Sequence, residues 1–128
     1  MTAASARDQA LDIADRLHVI GPVEVTRFFG GAGLALDGRQ FGFVMKGDLY
    51  LKADDLSRPM FEDMGEGPFI YQGRSRTVTV TSYYRVPDEI AADPGALGRW
   101  ALEARRAAQA ATAATRRRQH CRPGYSQA

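Results

Sequence analysis

Residues 23 to 53 alternate short apolar segments with turn signals, and this pattern restricts the fold more than any other part of the chain. The segment VEVTRFF is rich in β-branched and aromatic residues, which favour strands. Asp37-Gly38 is typical of a two-residue hairpin, because a type I′ turn needs positive φ at both central positions. Lys46-Gly47-Asp48 marks the next turn. Together these features predict an antiparallel meander of up to four strands.

Within this meander, alternation predicts which side chains share a face of the sheet. In RQFGFVM it places Phe41, Phe43 and Met45 together on one face. In DLYLKA it places Leu49 and Leu51 on one face, with Tyr50 and Lys52 on the other.

The rest of the chain alternates between helical and extended patterns. Residues 6 to 18 and the segment after Asp54 predict short helices, and PFIYQG and RTVTVTSYYRV predict two more strands. Asp93-Pro94 is typical of a helix start, and apolar residues at steps of three and four continue the helix to about Arg118. The predicted class is α+β, an antiparallel sheet of about five to six strands flanked by helices, with a long C-terminal helix.

The glycines near residue 30 raise the question of a phosphate-binding loop. A P-loop needs a lysine and a hydroxyl residue after its last glycine, at the start of a helix. Gly33 to Gly38 has the spacing, but Arg39-Gln40 and a predicted strand follow. A structural role is therefore preferred to a phosphate-binding loop: the glycines allow positive φ or a bulge at strand turns. The predicted structural turn residues are Gly30, Gly31, Gly33, Asp37, Gly38 and Gly47.

The patterns of catalytic and metal sites are weak in this sequence. Adjacent carboxylates fall at predicted helix starts, where acids stabilise the helix dipole. His18, His120 and Cys121 are too scattered to predict a tetrahedral zinc site. The sequence predicts no enzyme, and no catalytic, cofactor or metal site. One polar patch is a candidate, with a plain solvent-facing strand surface as the alternative; its residues are Tyr71, Arg74, Arg76, Tyr83 and Tyr84.

Charge is distributed unevenly along the chain. From Arg99 onward seven arginines face one glutamate, whereas the preceding residues carry ten basic and fourteen acidic groups. A basic helix end suggests an anionic partner, such as DNA, RNA or an acidic protein surface. The alternative is a solvated helix end, where arginine favours the helix dipole. The candidate binding residues are Arg105, Arg106, Arg116, Arg117 and Arg118.

Apolar runs and cysteine content suggest the cellular compartment of the protein. No apolar run approaches the roughly 20 residues of a membrane helix, so no membrane partner is expected. Cys121 is the only cysteine, which excludes an internal disulfide. A cytoplasmic protein is the expectation.

Six motifs occur in an order that resembles a known family. They are Phe29-Gly30-Gly31, Asp37-Gly38, Leu49-Tyr50-Leu51-Lys52, Pro68-Phe69-Ile70-Tyr71, Tyr83-Tyr84-Arg85-Val86-Pro87, and Asp93-Pro94 with Trp100. Across about residues 10 to 108 the chain looks like the N-terminal domain of the TfoX/Sxy family of bacterial competence regulators. The resemblance implies a curved antiparallel sheet flanked by helices, and a non-enzymatic role. Family regulators act with the cyclic-AMP receptor protein to switch on DNA-uptake genes.

The resemblance also suggests how the chain is divided. Residues 1–108 are the predicted family domain, and 109–128 form an arginine-rich helical extension with a loose C-terminal tail, in place of the family's C-terminal helical domain. The predicted function is a regulatory or interaction module with a protein partner in the transcription machinery and possible DNA contact. One alternative is a protein-only adaptor or homodimer that pairs through the alanine-rich helix. The other is a small ligand-binding domain or enzyme, in which Arg74, Arg76 and Tyr84 would converge.

Overall fold

A computed structural model describes residues 5–28 and 30–126, with side chains up to residue 111 and at residue 113. Six strands form one antiparallel sheet in the order β1-β2-β3-β4-β6-β5. The strands are β1 Glu24–Phe28, β2 Gly31–Leu36, β3 Arg39–Met45, β4 Asp48–Lys52, β5 Pro68–Gln72 and β6 Thr77–Arg85. The helices are α1 Ala6–Arg16, α2 Arg58–Glu62, α3 Asp88–Ala92 and α4 Pro94–Ser126, with a 3₁₀ turn at His18–Ile20. The predicted α+β class is confirmed.

The two tight turns of the meander have the geometry that their sequences predict. Asp37 and Gly38 have φ values of 55° and 77°, and Lys46 and Gly47 have φ values of 52° and 85°. Two consecutive residues with positive φ define a type I′ turn, whose twist matches that of the strands it joins. These turns set the register of β2, β3 and β4.

Helix α4 begins at a side-chain cap. The Oδ1 atom of Asp93 accepts a hydrogen bond from the backbone N–H of Gly95 at 3.0 Å, as an N-cap residue does. The helix ends at Ser126, beyond the predicted end near Arg118. No proline or glycine occurs between Gly98 and Pro123, so the sequence holds no helix breaker at Arg118. The division at residue 108 stays a prediction.

The main core lies between one face of the sheet and the helices. Helix α4 packs on β3 and β4, and α1 packs on β1, β2 and β3. The alanines of α4 let its backbone lie close to the sheet, because a methyl group is the whole side chain. The buried members of this core include Leu34, Phe41, Leu51, Phe61, Tyr84, Leu97, Ala101, Ala104 and Ala108. We call this side of the sheet the helix face.

The helical stripe predicted for α4 is buried as far as Ala108, whereas Ala111 is exposed. Trp100 packs edge-on against the ring of Phe61, with ring centroids 4.9 Å apart. None of the described helices is long and apolar enough to cross a membrane.

Candidate interaction surface

The opposite side of the sheet carries a cluster of aromatic rings centred on Phe43. Phe43 has no solvent exposure, although it lies outside the helix-side core. Its ring centroid lies 4.5 to 5.0 Å from the centroids of four other rings. The cluster comprises Phe28, Phe43, Tyr50, Phe69, Tyr71 and Tyr83. We call this side of the sheet the aromatic face.

Gly31 and Gly33 have a different role from the one predicted. Both lie inside β2 rather than in a turn, and neither has a positive φ. A Cβ on Gly31 would overlap the carbonyl oxygen of Val44, and one on Gly33 would lie 2.6 Å from the Oγ1 atom of Thr26. Close approach to the backbone of β3, not turn geometry, therefore requires Gly31, whereas the atoms nearest a Cβ on Gly33 belong to the side chains of Thr26 and Gln40.

The same glycines explain how Phe28 reaches Phe43. Phe28 pairs with Gly31 on β2, and Gly33 pairs with Phe43 on β3. Strands β1 and β3 are separated by β2, a distance of about 10 Å in a flat sheet, yet the two ring centroids lie 4.5 Å apart. Because no side chain projects from the glycines, the rings meet across β2.

Curvature of the sheet brings the far edge into the same cluster. Phe43 on β3 and Phe69 on β5 are separated by β4 and β6, about 14 Å in a flat sheet. Their ring centroids lie 4.9 Å apart in an edge-to-face arrangement. The aromatic face is therefore concave, which agrees with the curved sheet that the resemblance implies.

The prediction that Phe41 and Phe43 share a face is wrong, and a β-bulge is the reason. The pairing of β2 with β3 shifts by one residue, so that Leu34 pairs with Gly42 and Ala35 with Gln40. Phe41 is the extra residue, and its side chain joins the helix-side core. Tyr50 and Leu51 lie on opposite faces, as alternation predicts.

Part of the aromatic face remains accessible to solvent. Tyr71 is 44% exposed, and its ring stacks on Phe69 with centroids 5.9 Å apart. A cavity of about 310 Å³ opens beside these two rings, with Gly30, Met45 and Lys46 completing its lining. Exposed aromatic surface of this kind is typical of binding sites, because a ring buries a large area at a small entropic cost.

Both lysines of the chain lie at this face. The Nζ atom of Lys52 is 5.0 Å from the centroid of the Tyr83 ring, a cation–π distance. Burial lowers the pKa of Lys52 and raises the pKa of Tyr83. Lys46 lines the cavity. Among the described residues, neither lysine forms an ion pair.

The predicted polar patch is divided between separate surfaces. The hydroxyl of Tyr84 donates a 2.9 Å hydrogen bond to Glu62 on the helix face, and burial, followed by this bond, raises the pKa of Tyr84. Tyr83 lies on the aromatic face, where Gln40 donates a hydrogen bond to its hydroxyl. Arg74 and Arg76 are exposed in the hairpin between β5 and β6. Adjacent strand residues point to opposite faces, so Tyr83 and Tyr84 do not form one patch.

Two of the predicted anion-binding arginines have acidic partners within the chain. Arg106 donates to both carboxylate oxygens of Asp54 at 2.8 and 3.0 Å, and to Glu103 at 2.7 Å. The Nη2 atom of Arg105 lies 3.5 Å from Asp37. Arg106 lowers the pKa of Asp54 to about 2, mainly through its hydrogen bonds. The side chains of Arg116, Arg117 and Arg118 lie outside the described part of the structure.

The described residues hold no group of three or more histidine, cysteine or acidic side chains able to ligate a metal. The Nδ1 atom of His18 lies 2.7 Å from the backbone carbonyl of Asp15. The side chains of His120 and Cys121 fall outside the described part.

Sequence reasoning did not predict the aromatic cluster as a site. The available signal was the presence of aromatic residues in five strands, together with the glycines of β2 between Phe28 and Phe43. Recognising the cluster also requires the curvature of the sheet, which brings β3 and β5 together.

Comparison with known families gives one match. The model of a family described as the TfoX N-terminal domain matches residues 15–108. A comparison with curated proteins finds no match.

Proposed function

We propose a regulatory role for this chain, which belongs to the TfoX N-terminal domain family. The proposed molecule is a non-enzymatic module that regulates transcription by binding a protein partner. The observation that carries this proposal is the contrast between the two sides of the sheet. Helices pack on one side, whereas the other presents a concave aromatic surface with an exposed tyrosine.

The aromatic face is the proposed docking surface for the partner. Tyrosine and phenylalanine are enriched at the centres of protein interfaces, where a few rings supply most of the binding free energy. Tyr71 is exposed while Phe43 and Phe69 beneath it are buried. The exposed ring therefore rests on a packed base, so little conformational entropy remains to be lost on binding.

A test of this docking surface compares two equally exposed apolar residues. Tyr71 on the aromatic face and Leu102 on α4 are 44% and 46% exposed. The assay measures fluorescence anisotropy of a labelled promoter duplex bound by purified cyclic-AMP receptor protein, with and without this protein. We expect Tyr71→Asp to weaken the effect of this protein at least about tenfold, equivalent to about 1.4 kcal/mol. We expect Leu102→Asp to change it less than about twofold. Equal losses from both variants would contradict docking on the aromatic face.

The basic end of α4 is proposed to add an electrostatic attraction to nucleic acid. Arg105 and Arg106 have acidic partners within the chain, so the contribution is assigned to Arg116, Arg117 and Arg118. Contacts of this kind are to phosphates, because arginines without interleaved base-reading side chains carry little sequence specificity.

The nucleic-acid contribution is tested by direct binding to duplex DNA at several salt concentrations. Replacing Arg116, Arg117 and Arg118 with glutamine is expected to weaken binding and to reduce the slope of log K against log salt by up to about 2.7. Arg105→Gln is the matched control and is expected to leave the slope nearly unchanged. Absence of binding by the wild-type chain at low salt would contradict direct DNA contact.

Homodimerisation through the alanine-rich helix is a second candidate, restricted by the packing of α4. Ala101, Ala104 and Ala108 are buried against the sheet, so a helix interface would use the exposed alanines that follow, Ala110 and Ala113. A molecular mass that rises with protein concentration and persists in high salt would support this candidate.

A further inference from the structure

The cavity beside Phe69 and Tyr71 has the size and composition of a small-molecule site. Its volume of about 310 Å³ lies at the lower end of the range for ligand pockets, roughly 300–1,000 Å³. The residue before β2, the end of β3 with the turn that follows it, and strand β5 contribute its walls, which are almost wholly apolar. The cavity therefore lies where curvature brings distant strands of the sheet together, a concave position that small ligands favour.

Among the described residues that line this cavity, Lys46 is the only charged one. A lysine on an apolar wall lays its methylene groups along that wall and keeps its ammonium group at the opening, in water. The backbone of Lys46 is held in the type I′ turn, with φ of 52° followed by 85° at Gly47. This turn fixes the point from which the side chain extends, so the positive charge stays close to the cavity.

The charges around the cavity favour an anion. Among the described residues, Lys46 has no ion-pair partner, while Asp48, two residues further on, is paired with Arg85 at 3.1 Å. From Pro68 to Tyr84 the chain has no acidic residue, and Arg74 and Arg76 are exposed in that hairpin. A negative group at the opening would thus meet one unpaired cation and no unpaired carboxylate from the neighbouring turn or hairpin.

We infer that this cavity binds a small organic monoanion with an apolar body, a carboxylate whose hydrocarbon part lies against Met45, Phe69 and Tyr71 and whose charged group meets Lys46. The walls exclude a strongly polar ligand such as a sugar or nucleotide, because its hydroxyl or phosphate groups would lose water without gaining hydrogen bonds. This site shares Phe69 and Tyr71 with the proposed docking surface, but the inference does not depend on docking, because ligand binding is measured on the chain alone.

The test uses sodium octanoate as the probe, with octanol as its neutral counterpart of equal chain length. Amide chemical shifts of the ¹⁵N-labelled full chain are followed during titration with each compound. We expect saturable shifts at Met45, Lys46, Phe69 and Tyr71, with octanoate binding about fivefold more tightly than octanol, near the upper limit for an exposed ion pair. Because the two ligands are compared on the unmodified chain, this result does not depend on a variant folding.

Two variants separate the role of Lys46 from a general effect of positive charge. Lys46→Asn removes the charge and keeps a residue that tolerates positive φ. This variant is expected to bind octanoate as weakly as octanol, while octanol binding is unchanged. Lys52→Gln removes the other lysine of the same sheet face, outside the cavity lining, and is expected to lower octanoate affinity less than twofold.

Three results would overturn the inference. The first is the absence of saturation by octanoate at millimolar concentration. The second is a set of shifts spread over the helix face or along α4 rather than centred on the cavity. The third is equal affinity for octanoate and octanol on the wild-type chain, which would leave Lys46 without a role.

Discussion

The helix face and the aromatic face of this sheet are both well packed, but they contain different residues and have different roles. The helix face is built mainly from leucines and alanines that meet α1 and α4, together with the buried rings of Phe41, Phe61 and Tyr84. The aromatic face is built from rings that contact one another across strands, and its outermost ring, Tyr71, is 44% exposed. One face therefore supplies stability, and the other supplies a shaped surface whose centre, Phe43, is equally buried.

Strand β4 shows how a single strand can contribute to the helix-side core and to the aromatic face. In β4, Leu49 and Leu51 join the helix-side core, while Tyr50 stacks against Phe43 at 5.0 Å. Alternation along the strand separates the two sets, so a substitution on one face leaves the contacts of the other intact. The predictions below use matched substitutions to challenge this separation.

The largest effect is expected from removing a ring on the helix side. Phe61 is 1% exposed and packs against Tyr84 and Trp100. Phe61→Ala should lower the free energy of unfolding by about 3–5 kcal/mol, because it removes buried area and leaves a cavity. Tyr71→Ala on the aromatic face should cost about 1 kcal/mol, since its ring is half in solvent and loses mainly one stacking contact. Urea unfolding of both variants measures the two losses in free energy of unfolding. Similar losses would contradict the assignment of stability to the helix face.

The next effect concerns the glycines that let the rings of the aromatic face meet. Gly31→Ala should destabilise the protein by about 3 kcal/mol, because the new methyl group would overlap the backbone of Val44, which has no rotamer with which to escape. Gly98→Ala is the matched control, since no atom lies within 4 Å of its Cβ position in α4. That variant should be stabilised by about 0.5–1 kcal/mol through helix propensity. A mild effect at Gly31, measured by thermal unfolding, would show that β2 and β3 can separate without cost.

A smaller effect is expected from the ion pair that joins α4 to the loop before α2. Arg106 lowers the pKa of Asp54 to about 2, so the pair stabilises the folded state above the ordinary carboxyl pKa. That contribution is lost as pH falls from about 4 through 2, when the carboxylate becomes protonated. Arg106→Gln should cost about 1 kcal/mol at pH 7, limited by partial exposure of both groups, and progressively less below pH 4.

The pH dependence of this pair has an internal control. Asp12→Asn removes the exposed Arg16–Asp12 pair of α1, which lies at 2.6 Å, and keeps the hydrogen bond from Arg16 to the backbone carbonyl of Ala91. Its cost should stay below about 0.5 kcal/mol at every pH. A constant difference between wild type and Arg106→Gln from pH 7 to pH 2 would show that the Asp54 carboxylate does not contribute as described.

The smallest effect is expected at Lys52. Burial lowers its pKa, so the charged form is disfavoured in the folded state, while the Tyr83 ring 5.0 Å away attracts the same charge. These two effects oppose each other, and Lys52→Met should change stability by less than about 0.5 kcal/mol at pH 7. A loss above about 1 kcal/mol in urea unfolding would show that the cation–π contact outweighs the cost of burial.

Local chemistry allowed some of this architecture to be predicted from sequence. Asp37-Gly38 and Lys46-Gly47 specify their turns through their own backbone preferences, and Asp93 specifies the start of α4 through its side chain. The face of Phe41 was mispredicted because a bulge depends on the pairing of β2 with β3. The aromatic face depends on contacts between strands that are distant in sequence, which periodicity within one segment does not report.

Gly31 and Gly33 of β2 restrict how sequences with this fold can vary. The rings that flank them are interchangeable in principle, because phenylalanine, tyrosine and leucine all fill a concave apolar surface at modest cost. Gly31 and Gly33 are harder to replace, because a side chain at Gly31 would overlap the backbone of Val44 and one at Gly33 would displace the side chains of Thr26 and Gln40. Among related chains we therefore expect the aromatic residues of the cluster to vary in identity, and the two glycines between them to be retained.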